Sequence, residues 1–145
     1  MAFYRNYSSG MKILEHSEWT GPEEVIALNT FLETIIATGG QGCEAMEIGL
    51  LHCNKEIYEP ADGVPVSLIY VIGDAPANHT IEVVNQNKMS KNKQGKFAWG
   101  KEEEKAFGES TTWDEQLERI KNHLGAKIPI YSFYLKSVTF ENKID

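Results

Sequence analysis

A glycine-rich stretch comes directly before a predicted helix. Residues 38–44 read TGGQGCE, and the apolar residues of AMEIGLLHC follow at helical spacing. The N-terminus of a helix carries unpaired N–H groups and the positive end of the helix dipole. Glycines at such a place can cradle a phosphate, shape a metal-binding loop, or only turn the chain. The Gly39–Gly42 turn is therefore the first candidate site.

A carboxylate that follows an apolar run is the second candidate. Asp74 comes after VSLIYVIG, which is rich in β-branched residues and typical of a strand buried on both faces of a parallel sheet. Ligands of open parallel sheets lie beyond the carboxyl ends of the strands. If the glycine turn faces the same edge, Asp74 would lie beside a helix N-terminus, where a metal ion or an anion can bind. An aspartate at this place can also simply cap a turn.

The rest of the sequence predicts the elements that would hold these loops. Two N-terminal strands in 1–7 and 11–19 form a hairpin through SSG, and the last strand is KIPIYSFYL. Helices are predicted at 20–38, 43–58 and 110–124, the first capped by Thr20 with Glu23 and the third by Thr112 with Glu115. The core-facing stripe of the first helix is formed by Val25, Leu28, Leu32 and Ile35. The second helix has a broad apolar arc, so we expect it to be largely buried. Its members are Ala45, Met46, Ile48, Leu50, Leu51 and Cys53.

This order of elements predicts an α/β protein. After the opening hairpin, helices alternate with strands, which favours a three-layer, Rossmann-like architecture with a mostly parallel sheet and an antiparallel edge hairpin. We expect one domain over residues 1–145, with a polar surface excursion at about 85–108.

Charge and composition narrow the class of partner. The net charge is −7 and no basic cluster occurs, which argues against nucleic acid and anionic membranes. No apolar run is long enough to span a bilayer, and the first residues lack the apolar core of a signal peptide. Cys43 and Cys53 would lie about 15 Å apart on one helix, too far for a disulfide. We therefore expect a reduced, cytoplasmic protein.

The order of motifs resembles a von Willebrand factor A-type domain, most closely the subset found beside alpha-kinase domains. The motifs are FYRNY, EHSEWT, TGGQGCEA, GLLHC, LIYVIGDAPANH, TTWDEQLERIK and IPIYSFYL, which extend from Phe3 to about Leu135. The resemblance implies a Rossmann-like sheet with a metal-ion-dependent adhesion site. In that site oxygens from three loops hold a divalent cation, usually magnesium, and a partner's carboxylate completes its coordination shell.

The resemblance assigns residues one at a time. Asp74 matches the aspartate of the third loop, and Glu44 matches the acid that ends GGxDxPE. Gln41 stands where that motif has its aspartate, Cys43 replaces its proline, and Asn6 replaces the second acid of YRDY. With Asp74 as the retained acid, and Gln41 able to offer only an uncharged oxygen, we expect weak or lost magnesium binding and a degenerate site.

The first strand of this family, with its D-x-S-x-S loop, would lie upstream of Phe3, and the sequence contains no copy of that loop. This strand is normally central, so its loss would expose several hundred Å² of apolar surface, at roughly 25 cal/mol per Å². The resemblance therefore implies either that another segment or chain supplies the missing strand, or that the chain is a non-functional truncated fragment of a larger alpha-kinase-like protein.

These observations predict a protein-binding or scaffold module that is not an enzyme and needs no cofactor beyond weakly held Mg²⁺. The expected partner-binding residues are Arg5, Asn6, Gly40, Gln41, Glu44, Asp74, Asn78 and His79.

Two alternatives stay open. The first is an anion- or nucleotide-binding Rossmann-like domain that uses Gly39–Gly42, although TGGQG is neither G-x-x-x-x-G-K-[ST] nor G-x-G-x-x-G. The second is a cysteine enzyme in which Cys43, at a helix N-terminus, acts with His79 and Asp74.

Overall fold

Three α-helices, one 3₁₀ helix and four short strands make up the part of the chain that the computed structural model describes, residues 1–36, 43–60, 63–64, 66–79, 83, 111–123 and 127–135. In chain order they are β1 (Ala2–Tyr4), the 3₁₀ helix (Tyr7–Ile13), β2 (Leu14–His16), α1 (Val25–Thr34), α2 (Met46–Tyr58), β3 (Ile69–Gly73), α3 (Trp113–Lys121) and β4 (Ile130–Tyr134). The protein is therefore mixed α/β, as the sequence predicts. The predicted polar excursion lies outside the described residues.

The N-terminal strands pair as predicted, but their connection differs from a tight turn. β1 and β2 are antiparallel, with Phe3 opposite Glu15. The 3₁₀ helix joins them, and the side chain of Asn6 caps it by accepting a 2.8 Å hydrogen bond from the Tyr7 N–H. This local side-chain bond favours a helical start immediately after β1, so the reversal is wider than the SSG hairpin expected from the sequence.

The two strands β3 and β4 form a parallel pair. Ile69 lies opposite Ile130 and Ile72 opposite Phe133. The Ile69 N–H donates to the carbonyl of Pro129 at 3.0 Å, so this proline stands at the strand entrance, where its own missing N–H is tolerated. Among the described residues, β1–β2 and β3–β4 are separate two-stranded sheets and do not form one continuous sheet.

Helix α2 lies between two apolar clusters and joins them. Its N-terminal part contributes Ile48 to a cluster built with Tyr7, Ile13 and Leu14 from the 3₁₀ helix and β2. Its later turns contribute to a second cluster, whose buried members are Leu50, Ile57, Ile69 and Ile120. This helix is buried on more than one side, as its broad apolar arc predicts.

Helix α3 packs on α2 and confirms the predicted capping box. The Thr112 N–H donates to the Glu115 carboxylate at 3.0 Å, and the Thr112 side chain accepts from the backbone at Glu115. Across the helix pair, the amide of Asn54 donates to the backbone and side-chain oxygens of Gln116, at 2.9 and 2.8 Å. The two helices therefore meet through a buried polar link as well as through the second apolar cluster.

Helix α1 does not bury the stripe predicted for it. It begins at Val25, and no residue of the helix is buried. Val25 is 54% exposed and Leu32 is 38% exposed. The Thr20–Glu23 cap is also not formed, because the Gly21 N–H donates to the Glu24 carboxylate instead. The prediction of a core face is wrong because an amphipathic pattern cannot show whether an opposing layer exists.

Strand β3 is buried on one face only, which corrects the prediction of burial on both. Ile69 is 6% exposed, whereas Tyr70 is 60% and Ile72 is 59% exposed. The covered face packs against α2 and α3 through the second apolar cluster. An unbroken apolar run shows that both faces of a strand carry apolar side chains. It cannot show that another element packs on each face.

Candidate functional site

The loop after β3 lies against the segment that leads into α2. Glu44 and Ala77 form a parallel β-bridge. The Glu44 N–H donates to the carbonyl of Pro76 at 2.9 Å, and the Asn78 N–H donates to the carbonyl of Glu44 at 3.0 Å. These bonds place the loop after β3 beside Glu44, in the segment that follows the predicted glycine turn. The glycine turn itself, with Gly40 and Gln41, lies outside the described residues.

The end of β1 joins the same place. The side-chain amide of Asn6 donates to the carbonyl of Cys43 at 2.8 Å, and the Ala45 N–H donates to the carbonyl of Arg5 at 3.2 Å. Three chain segments therefore meet at one end of the molecule. We call this place the carboxyl edge and define it as residues Arg5–Tyr7, Cys43–Glu47 and Gly73–His79.

A buried carboxylate connects the three segments from inside. Glu47 lies in the first turn of α2 and is 0% exposed. Its Oε1 accepts hydrogen bonds from the Tyr7 hydroxyl at 2.7 Å and from the Asn78 amide at 3.2 Å. A carboxylate removed from water requires such donors, because burying it without them costs several kcal/mol in general. The network therefore fixes the relative positions of the loops.

Arg5 also has an internal role. Its side chain is buried and forms an ion pair with Glu15 on β2. The guanidinium donates to the carbonyl of Lys12, at the end of the 3₁₀ helix, and to that of Ile36, just after α1, at 3.2 Å. Arg5 therefore ties the 3₁₀ helix, β2 and the end of α1 together, and it does not face solvent.

The predicted partner-binding residues consequently fall into three groups. Asp74 and His79 are exposed and Glu44 is half-buried, so all three can meet a partner. Arg5, Asn6 and Asn78 are buried and hold the edge together. Gly40 and Gln41 are outside the described residues.

Negative charge gathers around one tyrosine hydroxyl at this edge. A Cβ placed on Gly73 would lie 3.1 Å from the Tyr4 hydroxyl oxygen, so that oxygen sits against the end of β3. Burial raises the pKa of Tyr4, and Glu44, Asp74 and Glu47 raise it further. Burial also raises the pKa of the Glu44 carboxyl, Asp74 adds to the shift, and Arg5 opposes it. The carboxyl edge is therefore an electronegative site.

The oxygen atoms at this edge are of the kind that magnesium prefers, but their number is small. Glu44 and Asp74 both offer carboxylates, and Asp74 contributes to the raised pKa of the Glu44 carboxyl. Among residues 1–36, 43–60 and the other described segments, no group of three or more His, Cys, Asp or Glu side chains could hold a metal ion. The predicted contribution of Gln41 lies outside those segments.

Sequence reasoning missed Tyr4, Tyr7 and Glu47. The sequence does indicate a role for Glu47, because it is an acid within a helix predicted to be largely buried. Such an acid needs hydrogen-bond donors in the interior. The two tyrosines have no such indication, because their partners, Glu47 at 40 residues from Tyr7 and Gly73 beside Tyr4, are distant in sequence.

The two cysteines differ in environment, and neither forms a disulfide. Burial raises the pKa of the Cys53 thiol to about 11, so it is protonated at neutral pH and is a poor nucleophile. Cys43 is half-buried at the carboxyl edge, where its carbonyl accepts from Asn6.

A separate open pocket of about 230 Å³ lies between β2 and α2. The rings of His16 and His52 stack in its wall, with centroids 4.7 Å apart. Lys55 and Glu56 are also in the lining, and the Glu56 carboxylate accepts a 2.9 Å hydrogen bond from the Trp19 indole. This pocket is distinct from the carboxyl edge.

Comparison of the chain with protein-family models, with curated proteins and with solved structures found no match. Within the described segments, no helix has the length and apolar character needed to cross a membrane.

Proposed function

We propose that this chain is a protein-binding or scaffold module of von Willebrand A type, with an incomplete Rossmann-like fold and a degenerate metal-ion site. Its working surface is the carboxyl edge. The observation that carries the proposal is the junction of three chain segments through the bonds of Glu44 with Pro76 and Asn78 and of Asn6 with Cys43. At this junction Glu44 and Asp74 both raise the pKa of the Tyr4 hydroxyl. A rigid, charged edge of this kind supports recognition because its groups are positioned before the partner arrives.

The charge of the edge defines the partner's chemistry. In a metal-dependent adhesion site the ion attracts a partner's carboxylate, but Glu44 and Asp74 keep their own negative charge when magnesium binds weakly or not at all. A lysine or arginine side chain of the partner protein would complement them. Exposed Asp74 would make the direct contact, and half-buried Glu44 would add to the field behind it.

The same charges weigh against the anion- or nucleotide-binding alternative. Glu44 and Glu47 follow Gly42 by two and five residues in the sequence, and Glu47 is in the first turn of α2. Two acids so close in sequence to a phosphate-binding turn would repel a phosphate, which offsets the attraction of the helix dipole. We therefore favour a binding protein without a nucleotide, without a catalytic role and in a cytoplasmic, reduced setting.

The separation of the strands into two pairs supports the proposal that a strand is supplied from elsewhere. Two-stranded sheets are only marginally stable without further strands or a helix layer. β1–β2 and β3–β4 do not pair with each other among the described residues, although the end of β1 lies close to the end of β3 through Tyr4 and Gly73. An additional strand from another segment or chain would complete the Rossmann-like sheet.

The test is a titration of the ¹⁵N-labelled chain with two short synthetic peptides, one alternating Lys and Ala and the other alternating Glu and Ala. The expected result is that the basic peptide shifts the amides of Glu44 and Asp74, and that the acidic peptide does not. Asp74→Asn should weaken the effect severalfold, whereas Glu33→Gln, which removes an exposed acid on α1, should leave it unchanged. Equal responses to both peptides would reject the proposal.

A parallel titration with Mg²⁺ tests the degenerate site. We expect shifts at Asp74 only at millimolar ion. Saturation at micromolar Mg²⁺ would show a working metal site and would contradict this part of the proposal.

A further inference from the structure

One face of the β3–β4 sheet is apolar, and no other described element packs on it. Side chains at alternating positions along both strands, and in the residue that flanks each strand, point away from α2 and α3. We call this surface the aromatic face, and its members are Leu68, Tyr70, Ile72, Tyr131, Phe133 and Leu135. Their exposed fractions run from 39% to 60%, and none of them is charged.

The rings on this face are already ordered against one another. The Tyr70 ring stacks on that of Tyr131, with centroids 5.7 Å apart, and lies 5.9 Å from that of Phe133. The Leu135 N–H donates to the carbonyl of Gly73 at 2.8 Å, so the surface continues past the end of β4. Ordered rings lose little conformational entropy when they are covered, which makes the face suited to binding.

The area of the aromatic face can be compared with that of known interfaces. Aromatic side chains present about 150–250 Å² each, and three of the six members are aromatic while the other three are somewhat smaller leucine and isoleucine side chains. At about half exposure the six therefore present roughly 500–600 Å². This is at the upper end of the 300–600 Å² found for the largest apolar patch on typical monomers. It approaches the roughly 800 Å² that each partner buries in a stable interface, and Tyr134, at the rim, is also exposed.

We propose that a second copy of this chain covers the aromatic face, in a symmetric dimer whose β3–β4 sheets pack face to face. A two-fold interface uses the same patch on both subunits, so the patch must be compatible with itself. An uncharged, aromatic surface meets this condition, although each chain carries a net charge of −7, because the charges lie outside the face. Sheets packed in this way lie about 10 Å apart, with side chains interdigitating.

This inference does not rest on the proposed function, since the aromatic face and the Glu44–Asp74 surface are different parts of the molecule. The test is sedimentation equilibrium of the full chain at about 1–100 µM, a range that resolves micromolar dimers. The wild-type mass is expected to rise from 16.3 kDa toward twice that value. Raising the salt concentration should strengthen the dimer slightly, because it screens the repulsion between two acidic chains.

Variants locate the interface. Tyr70→Glu and, separately, Ile72→Lys should weaken dimerisation at least a hundredfold, because each introduces a charge into the centre of the covered face. Ile26→Glu is the matched control, since Ile26 on α1 is even more exposed and lies outside the face. Circular dichroism shows which variants remain folded. If one of the two variants fails to fold, the other still tests the interface.

The outcomes separate clearly. A wild-type chain that stays monomeric at 100 µM overturns the proposal without any variant. It would mean that a different protein, or a part of this chain outside the described residues, covers the face. Oligomers that respond equally to Ile26→Glu and Tyr70→Glu also overturn it, because the contact would then lie elsewhere.

Discussion

The hydroxyl of Tyr7 donates a 2.7 Å hydrogen bond to the fully buried carboxylate of Glu47, and this bond links the start of the 3₁₀ helix to the first turn of α2. Forty residues separate the two side chains, so the bond closes a long loop. It is buried and stabilises the carboxyl edge from the protein interior. Asn78 donates to the same oxygen and brings the loop after β3 into the network.

The first prediction concerns this bond. Tyr7→Phe removes one donor to a buried charge while preserving the ring, and we expect it to lower the free energy of unfolding by about 1–3 kcal/mol. Urea denaturation measures the change. Tyr134→Phe is the control, because Tyr134 is exposed and should tolerate loss of its hydroxyl with little effect. A Tyr7→Phe protein as stable as wild type would mean that other donors satisfy Glu47 equally well.

The second prediction concerns the charges around Tyr4. Asp74 raises the pKa of both Glu44 and the Tyr4 hydroxyl, so Asp74→Asn should lower both. The Tyr4 ring carbon bonded to oxygen reports its titration by ¹³C NMR. The control variant Glu33→Gln, which changes an exposed acid on α1, should leave the titration of Tyr4 unchanged. An unaltered Tyr4 curve in Asp74→Asn would show that the two groups do not interact.

The raised pKa of Glu44 also has a consequence for stability. A carboxyl whose pKa is higher in the folded state holds its proton more tightly there, so its contribution is full below the unfolded pKa. That contribution is lost as the pH rises from the ordinary value of 4.5 through the raised folded value. Glu44→Gln should therefore gain stability relative to wild type across this window, by a few tenths of a kcal/mol because the site is partly exposed. Paired denaturation curves at pH 4 and pH 7 measure the difference, and a gain that is larger at pH 4 would contradict the assigned direction.

The fourth prediction concerns the pocket between β2 and α2. Burial lowers the pKa of His52, the stacked His16 lowers it further, and Glu56 opposes the shift, while Lys55 and the N-terminal amine lower it slightly. A histidine with a lowered folded pKa contributes stability that is present above the unfolded value of 6.5. This stability is lost as the pH falls through 6.5 toward the folded pKa.

His16→Gln should therefore raise the pKa of His52. The free energy of unfolding should then fall less steeply as the pH drops below 6.5. The imidazole resonances in a ¹H–¹³C titration give the pKa directly. The exposed His79 offers the matched control, since His79→Gln lies outside the pocket. If His52 titrates identically with and without His16, the stacked ring has no electrostatic effect on it.

Patterns of neighbouring residues predict where the helices and strands lie better than they predict which of their faces are buried. The capping box of Thr112 and Glu115 and the apolar arc of α2 involve near neighbours in sequence, and the structure confirms both. The parallel pairing of β3 with β4 and the meeting of Glu44 with the loop after β3 also agree with the sequence. These relationships follow from chain order and from the ordinary geometry of strands and helices.

The errors concern surfaces whose partners are distant or not among the described residues. The apolar residues of α1 and the outer face of β3 match buried patterns, yet no residue of α1 is buried and the outer residues Tyr70 and Ile72 of β3 are exposed. Periodicity shows which residues share a face but does not supply a layer to cover it. The sequence predicts Arg5 as a partner-binding residue, but Arg5 is buried among three internal partners. These partners, Glu15, Lys12 and Ile36, become its neighbours only after the chain has folded.

The last prediction concerns Gly49, where α2 passes close to β1. A Cβ at this position would lie 2.9 Å from the Tyr4 ring carbon Cδ1, a distance that forces the ring to move. Alanine favours helices over glycine by about 1 kcal/mol, so on propensity alone Gly49→Ala should stabilise α2. We expect the clash to win and to destabilise the protein by about 1–3 kcal/mol.

A double-mutant cycle distinguishes the two effects. In a Tyr4→Ala background the ring is gone, so Gly49→Ala should become neutral or stabilising. The coupling energy between the two positions should exceed about 1 kcal/mol, as is usual for residues in contact. Equal effects of Gly49→Ala in both backgrounds would mean that the ring adapts freely. Because the Tyr4 hydroxyl lies against Gly73 at the end of β3, displacement of its ring should shift the amides of the carboxyl edge in the single variant. A control such as Ile26→Glu should not shift them.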